Sequence, residues 1–388
     1  MKVYETLPPA SPRAGFYRAV ATWKDAAMLE FGPEGTMHYV QGNIKGYTSN
    51  LFTTGLKEHQ IIFGDTDALE SAIRDIDRDQ APELLFVVSS PVSEIIGTDL
   101  NMVCRKLQKH IHAWLSVWDN VPVTGTEPIG AVQAYEKAAQ FLKDNAPEHR
   151  SGAQEGFLVL GLGEGDWSGL ADIEELCRMM EAYFDLPCRN DRDGRYCLSN
   201  LAQAKWIIVA APEALPLAQA ANQMWGIPYF QGLPYGLSAT EALVNAAAQA
   251  LEAVPSEQWR SDFSEVKTAV AQFRVAIRSR RKRGIYLDAR PARIDGWNAL
   301  LSDELGLNVS LPEAGSSALS TDGSVGFNEI IGKGDILMGC GILSGLYPEN
   351  PAVCIEYPVT NQKQFGRYTP FCGIRGVLNL LDRIYPLL

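Results

Sequence analysis

Two carboxylates follow a strongly apolar predicted strand, and they are the first candidates for chemistry. The strand covers residues 84–88, a continuous apolar run typical of a parallel strand that is buried on both faces. Residues 89–93 carry small hydroxyls and a proline, which suit a turn, and Glu94 and Asp99 come next. Because open α/β sheets bind ligands at the carboxyl ends of strands, both acids are candidate site residues. The alternative is that Glu94 caps the following helix and Asp99 faces water.

Histidine and cysteine, the usual ligands of transition metals, show no spacing typical of a metal site. His110 and His112 form an HxH pair, but the helical pattern around them would place their side chains about 200° apart. Cys177, Cys188 and Cys197 lack zinc-site spacing, and no CxxC or HExxH motif occurs. The seven cysteines are scattered, which favours free thiols in a reducing cytoplasm over a disulfide framework. We therefore predict a cytoplasmic protein without metal ligands of its own.

A glycine-rich turn, GLGEGD at residues 161–166, follows the predicted strand at 157–162. It begins like the dinucleotide fingerprint GxGxxG but lacks the last glycine, which would let a helix N-terminus approach a pyrophosphate. Asp166 would also repel a phosphate. We therefore interpret this segment as a tight turn between a strand and a helix.

The one basic run, RSRRKR at residues 278–283, lies at the end of a long helix predicted for residues 261–281. It could dock an acidic partner or bind phosphate. The simpler interpretation is a solvated helix end, where basic side chains complement the helix dipole.

Length and composition set the class of protein. A chain of 388 residues with 46% hydrophobic residues predicts two or three domains with substantial cores. The net charge of -12 argues against nucleic acid or an anionic membrane as a partner. No apolar core follows Met1 and no apolar run approaches the roughly 18–20 residues of a membrane span, so we expect neither a signal peptide nor a membrane helix.

Strands and helices alternate along the whole chain, which predicts an α/β fold with doubly wound, mainly parallel sheets. We expect three domains, at residues 1–150, 151–282 and 283–388, with a polar linker at 146–156 between the first two. Within the first domain we expect a helix over 14–29, a short strand at 59–64 and one amphipathic helix over 96–111.

Six stretches, in order along the chain, resemble the nitrogenase component 1 family. That family includes the molybdenum–iron protein subunits, their cofactor-assembly scaffold and dark-operative protochlorophyllide reductase. The resemblance implies three Rossmann-like domains with a cofactor cleft between them. The stretches are GPEGTMHY at 32–39, TTGLKEHQIIFG at 53–64, SEIIGTDL at 93–100, FLVLGLGEGDW at 157–167, WGIPYFQGLPYGLSAT at 225–240 and CGIRGVLNLLDRI at 372–384.

The chain departs from this family at the cluster ligands. Members that hold an iron–sulfur cluster at the subunit interface use three cysteines: one before the first helix, one ending a GPxGC loop and one three residues before the glutamate of EIIG. Those places hold Ser11 or a neighbour, Thr36 and Pro91. Proline cannot bind iron, and neutral hydroxyls are poor substitutes for thiolates. The resemblance therefore implies that any such cluster is held mainly by a partner subunit.

The buried cofactor of the catalytic nitrogenase subunit is held by a cysteine and a histidine. Their places fall near Ala210, where the cysteine is absent, and at Cys372, where a cysteine stands in place of the histidine. Cys372 therefore joins Glu94 as a candidate cofactor-binding residue. The alternative is an ordinary core or loop cysteine.

The resemblance and its departures leave two functions open. The first is a component 1-like subunit paired with a cysteine-bearing homologue, to which an ATP-dependent iron–sulfur reductase protein supplies electrons. The alternative is a binding or scaffold protein for a tetrapyrrole, metal cofactor or nucleotide, without redox chemistry of its own. A sugar-nucleotide enzyme is a third possibility, because fold class alone does not fix function.

Overall fold

The chain has the predicted α/β architecture, with three sheets in which every described strand pairing is parallel. The computed structural model describes residues 11–37, 49–64, 66–121, 125–145, 150, 154–280, 283–312, 331–356 and 368–388. Most of the predicted linker at 146–156 lies outside these residues. Among them, no helix has the length and apolar character needed to cross a membrane.

The first sheet has the strand order β2-β1-β3-β4. All residues of β1 and β3 are buried, which confirms the predicted strand at 84–88. The strands are β1 (Ala26–Phe31), β2 (Leu51–Thr53), β3 (Leu84–Ser89) and β4 (Trp114–Trp118). The accompanying helices are α1 (Pro12–Ala21), α2 (Glu58–Phe63), α3 (Asp67–Gln80), α4 (Pro91–Ile96), α5 (Leu100–Leu107) and α6 (Glu127–Asn145).

The second sheet has the order β5-β6-β7, and the third has the order β11-β10-β8-β9. Each sheet with its accompanying helices is called a unit, so the strands and helices given above form the first unit. The second unit contains β5 (Phe157–Leu160), α7 (Gly169–Phe184), β6 (Trp206–Val209), α8 (Leu215–Trp225), β7 (Tyr229–Gln231), α9 (Gly236–Ala250) and α10 (Glu257–Ala276). The third contains β8 (Ile285–Leu287), α11 (Pro291–Asn298), β9 (Val309–Ser310), β10 (Ile336–Cys340), α12 (Gly341–Leu346), β11 (Ala352–Glu356) and α13 (Gly373–Ile384).

The second sheet lies between the other two and buries both of its faces. Phe157 and Val159 belong to a core that also contains residues of β8 and β10. Leu158 and Leu160, which alternate with them, belong to a core that contains residues of β1 and β3. Because side chains alternate across a strand, β5 joins the first and third units through opposite faces.

Two predicted elements near the N-terminus are wrong. The helix expected over 14–29 is α1 followed by the strand β1, and the strand expected at 59–64 is the helix α2. β1 lies between β2 and β3 in the sheet and is buried on both faces. Its sequence AAMLEF therefore lacks the alternating apolar pattern that would distinguish a strand from a buried helix. α2 exposes Ile62 and Phe63 and ends at Gly64, where φ is +63°. Its apolar content therefore does not reflect burial.

The single helix expected over 96–111 is also wrong, because two helices occupy most of this segment. α4 ends at Gly97, which adopts a φ of +70° that favours glycine. α5 begins after Asp99, whose carboxylate accepts the backbone N–H of Met102 at 2.9 Å. Asp99 therefore caps a helix.

Helices α1 and α6 cross at two glycines. A Cβ on Gly130 would lie 1.7 Å from the carbonyl oxygen of Pro12, and one on Gly15 would lie 1.9 Å from that of Glu127. Replacing Gly130 with alanine is expected to force the helices apart and lower the free energy of unfolding by about 1–3 kcal/mol. Urea unfolding followed by circular dichroism measures this loss. Gly35→Ala is the matched control, since its Cβ would meet no atom within 4 Å; equal losses in both variants would contradict the crossing.

Candidate functional site

A buried carboxylate lies near the carboxyl end of β1. The side chain of Glu30 is fully buried, and Arg13 of α1 donates to its Oε2 at 2.7 Å. The Tyr17 hydroxyl donates to the same oxygen, and the Thr36 hydroxyl donates to Oε1. These four residues are called the Glu30 network. Each oxygen of the carboxylate has a donor, which burial requires.

The charges of this network compensate one another. Burial and the negative charge of Glu30 raise the pKa of Tyr17 well above its ordinary value, so the phenol stays a donor at neutral pH. Burial alone would lower the pKa of Arg13, but Tyr17 and Glu30 outweigh burial and raise it. The guanidinium is therefore held in its charged form against the carboxylate. The network contains no thiolate or imidazole that could bind iron.

The three positions at which the resemblance expects cluster-binding cysteines lie around this network. Thr36 is itself a member, and Ser11 immediately precedes α1, the helix that carries the arginine. Pro91 is the first residue of α4. A Cβ on Gly32 would lie 2.4 Å from that of Ser90 and 3.2 Å from the Thr36 hydroxyl oxygen, so the ends of β1 and β3 are adjacent here. These residues do not fit an iron–sulfur cluster held by this chain alone.

The described HxH pair, His110 and His112, adds no alternative metal centre. His110 ends a short 3₁₀ turn, and His112 follows in a loop, where its backbone N–H donates to Asp77. In the part of the chain that the structure describes, no three His, Cys, Asp or Glu residues come together in a way that could hold a metal ion.

Glu94, the first predicted site residue, is a partly buried carboxylate on α4. Its Oε1 accepts the Ser89 hydroxyl at 2.5 Å and the backbone N–H of Val121 at 2.8 Å. It therefore joins the end of β3 to the segment that follows β4. The helix is capped instead by Ser90, which accepts the backbone N–H of Ser93 at 3.1 Å. A cofactor contact of Glu94 stays a prediction.

Six charged side chains meet where the three units adjoin. Arg293 lies on α11 with its Nη2 3.2 Å from Asp166 Oδ1 and its Nη1 3.8 Å from Glu356 Oε1. Arg290, one turn earlier, lies 3.3 Å from Glu356 and 3.5 Å from Asp166. This set is called the junction cluster and comprises Arg18, Glu127, Asp166, Arg290, Arg293 and Glu356.

The junction cluster balances three arginines against three carboxylates. Arg18 and Glu127 pair at 2.8 Å and extend it to α1 and α6, and Arg290 reaches Glu127 at 3.8 Å. Burial alone would raise the pKa of Asp166, but Arg293 and Arg290 outweigh burial and hold it below its ordinary value. Asp166 ends the GLGEGD segment, which is a tight turn as predicted, and its side chain pairs with arginines of the third unit.

Cys372, the second predicted site residue, is fully buried before the first turn of α13. Oδ1 of Asp172 accepts the backbone N–H groups of Phe371 at 2.7 Å and Cys372 at 3.0 Å. The Cys372 thiol donates to the carbonyl oxygen of Asp172 at 3.6 Å. Burial, with Asp172 and Glu175 nearby, raises the pKa of the thiol well above its ordinary value. The neutral thiol has a partner within the chain, and its binding to a cofactor stays a prediction.

Replacing Asp172 with alanine is expected to release the N-terminus of α13. The change leaves the backbone N–H groups of Phe371 and Cys372 buried without an acceptor, at a cost of about 1–3 kcal/mol in unfolding free energy. Hydrogen exchange of α13 should accelerate more than exchange of α10. Asp172→Asn retains one carbonyl acceptor and should lose less stability; unchanged exchange in the alanine variant would contradict this role.

Glu94 and Cys372 do not meet, because Glu94 contacts residues of the first unit and Cys372 links the second and third. Ala210 lies just beyond β6, in the core shared with the third unit.

The sequence patterns did not predict two residues of the candidate site, Glu30 and Arg293. The detectable signal for Glu30 is one acid within the apolar run AAMLEF, which implies a buried partner.

Comparison with curated proteins finds several NifE proteins among the relatives of this chain. The chain is 26% identical over 227 residues to the nitrogenase iron–molybdenum cofactor biosynthesis protein NifE of Clostridium pasteurianum, covering 56% of this chain and 48% of that protein. It is 22% identical over 333 residues to NifE of Rippkaea orientalis, covering 82% of this chain and 65% of that protein. In the first of these matches, the chain spans about half the length of its relative.

The fold is also found in solved structures. A structure titled "Nitrogenase Cp1 at pH 6.5" superposes with a TM-score of 0.68 and 17% identity, over 100% of this chain and 94% of the other. The model of the nitrogenase component 1 type oxidoreductases matches residues 11–318. The match covers well over half of the 388 residues and includes both the Glu30 network and the Asp166 turn. The chain therefore belongs to the nitrogenase component 1 type oxidoreductase family.

Proposed function

We propose that this chain is one half of a component 1-like complex, paired with a homologous subunit that carries the cluster-binding cysteines. The observation that supports this role is the Glu30 network. A salt-bridged carboxylate and its hydroxyl donors occupy the described part of this region, and these four residues offer no thiolate for an interface cluster. In this proposal the partner's thiolates hold the cluster, and this chain forms the opposing wall.

An exposed apolar surface beside the network is the proposed contact with that partner. Ile62 and Phe63 of α2 and Ile95 of α4 are 75%, 82% and 88% exposed. The two helices contact each other, and α4 begins at Pro91, so this surface adjoins the positions that lack cysteine. Large exposed apolar side chains grouped on neighbouring helices are typical of protein–protein interaction sites. We define the three residues as the α2/α4 surface.

The complex would receive its electrons from an ATP-dependent iron–sulfur reductase protein. This part of the proposal rests on the family alone, because the resemblance to component 1 proteins implies such a donor. The junction cluster links residues of all three units through ion pairs, and in this proposal it would keep the units together when that protein docks.

A cofactor scaffold is the second candidate function, and the similarity to NifE favours it. NifE is described as a biosynthesis protein for the iron–molybdenum cofactor. In that role this chain would hold a metal cofactor or a tetrapyrrole without redox chemistry of its own. Thermal-shift measurements with tetrapyrroles and cluster precursors test it, because a ligand that stabilises the chain without any partner favours the scaffold.

Anaerobic affinity purification with a co-expressed homologous subunit tests the pairing. We expect the two chains to elute in equal amounts, and Ile95→Glu to abolish co-elution because it places a charge on the α2/α4 surface. Val254→Glu is the matched control, since Val254 is 82% exposed and lies after α9, outside that surface. A wild-type chain that elutes alone, or an Ile95→Glu variant that still retains the partner, would contradict the proposal.

A further inference from the structure

A cleft of about 370 Å³ lies where the end of β4 meets α6, and it contains no residue of the Glu30 network or the junction cluster. One face of α6 contributes Gln133, Glu136 and Lys137, since helical residues three and four apart are neighbours. The carboxyl end of β4 contributes Trp118 and Asp119. Ligands of open α/β sheets lie at the carboxyl ends of strands, so a bound molecule is expected at such a position.

The cationic group of the cleft is the Lys137 ammonium, which donates to the carbonyl oxygen of Val117 at 2.6 Å. The lysine is half-buried and forms no ion pair with any residue that the structure describes. Burial lowers the pKa of Lys137, and the negative charges of Asp119 and Glu136 oppose this without outweighing it. A lysine ammonium has three donors, so two remain for a ligand. An anionic group in the cleft would supply the counter-charge that this ammonium lacks.

Two neighbouring side chains of the cleft are oriented by hydrogen bonds that leave part of each group for a ligand. The Trp118 indole N–H donates to Gln133 Oε1 at 2.8 Å, and the indole ring stacks on Phe16 with centroids 4.0 Å apart. The amide NH₂ of Gln133 therefore keeps its two donors. Asn101 donates to Asp119 Oδ2 at 2.7 Å, which leaves Oδ1 as an acceptor. The cleft thus offers donors and acceptors whose positions are fixed before a ligand binds.

The charges of the cleft select the class of ligand. A simple anion such as phosphate would meet the Lys137 ammonium but also two carboxylates, Asp119 and Glu136. A simple cation would pair with those carboxylates but leave the ammonium without a counter-charge. We propose that the cleft binds a free α-amino acid, whose carboxylate pairs with Lys137 and whose ammonium pairs with Asp119 and Glu136. The volume of the cleft lies within the range of roughly 300–1,000 Å³ that is typical of small-molecule sites.

Isothermal titration calorimetry on the full chain tests the site, with L-alanine, L-glutamine and L-arginine as probes. At least one of them should bind with one-to-one stoichiometry. The N-acetyl derivative and the amide of that amino acid should each bind about tenfold more weakly or worse, because each lacks one of the two charges. Absence of binding by all three amino acids up to about 10 mM would overturn the proposal. Derivatives that bind as tightly as the free amino acid would overturn it as well.

Variants assign the two charges to their residues. Lys137→Met and Asp119→Asn should each weaken binding of the amino acid about tenfold or more, because each removes one ion pair with the ligand. Lys143→Met is the matched control, since Lys143 is exposed on the same helix outside the cleft, and it should bind like wild type.

A chemical readout complements these titrations. Bound amino acid should slow acetylation of Lys137 by acetic anhydride, measured by peptide mapping, and leave acetylation of Lys143 unchanged. Wild-type affinity in Lys137→Met, or equal protection of both lysines, would overturn the proposal. None of these measurements depends on a partner subunit or a cluster, so the proposed function is tested separately.

Discussion

Replacing Glu30 with alanine is expected to lower the free energy of unfolding by about 3–5 kcal/mol. The change removes the carboxylate that accepts from Arg13, Tyr17 and Thr36, and it leaves a buried guanidinium without a counter-charge. Removing one member of a buried ion pair costs more than the pair contributes, because the other charge stays desolvated. Chemical unfolding followed by circular dichroism measures the loss.

Three variants separate the charge from packing. Arg13→Met combined with Glu30→Leu replaces the pair by apolar side chains and should recover most of the stability lost by Glu30→Ala. Tyr17→Phe removes one donor and should cost about 1 kcal/mol. If the double variant is as unstable as Glu30→Ala, the uncompensated charge is not the cause and this account of the network is wrong.

Replacing Arg293 with alanine is expected to destabilise the junction cluster by a similar amount, about 3–5 kcal/mol. Its side chain is only 7% exposed, and Asp166 and Glu356 would remain buried with Arg290 as their closest cation. Hydrogen exchange should accelerate at β10 and β11, because these strands belong to the unit that the cluster holds against the second sheet. Arg78→Ala removes two exposed ion pairs, with Asp75 and Asp79, and is the control, with no measurable change expected.

The same variant changes the response to acid. Because the pKa of Asp166 is lowered in the folded chain, its contribution to stability is complete at neutral pH. That contribution is lost as the pH falls through the folded pKa. Without Arg293, burial opposes ionisation more effectively and the pKa of Asp166 rises. Acid unfolding should therefore begin at a higher pH in Arg293→Ala than in the wild type, and identical acid transitions would contradict this role.

The sheet organisation is largely predictable from the sequence, because its strands carry their own signal. Residues 84–88, 157–160 and 206–209 are continuous apolar runs, and each lies in a buried parallel strand. β1 does not show this signal. Glu30 interrupts its apolar run, and its alanines suit a helix equally well. The helix α4 ends at Gly97 because of the backbone conformation of that glycine. The spacing of apolar residues over 96–111 gives no sign of this helix end.

The candidate site is much less predictable, because the residues that contact one another there are distant in sequence. Asp166 is visible as an unusual residue in a glycine-rich turn, but Arg293 pairs with it across 127 residues. Asp172 binds the backbone of Phe371 and Cys372 across about 200 residues. Only the packing of the three units brings these groups together. What the resemblance to the family does imply, without a structure, is that Thr36 and Pro91 stand where other members have cluster-binding cysteines.

Iron and acid-labile sulfide in the anaerobically purified chain test the central claim most directly. The chain alone should contain neither in stoichiometric amount, since the Glu30 network has no thiolate to bind iron. The same assay on the co-purified pair should find one cluster per pair, and that cluster should be lost when the partner's cysteines are changed to alanine. A stoichiometric iron–sulfur centre in the isolated chain would contradict the account.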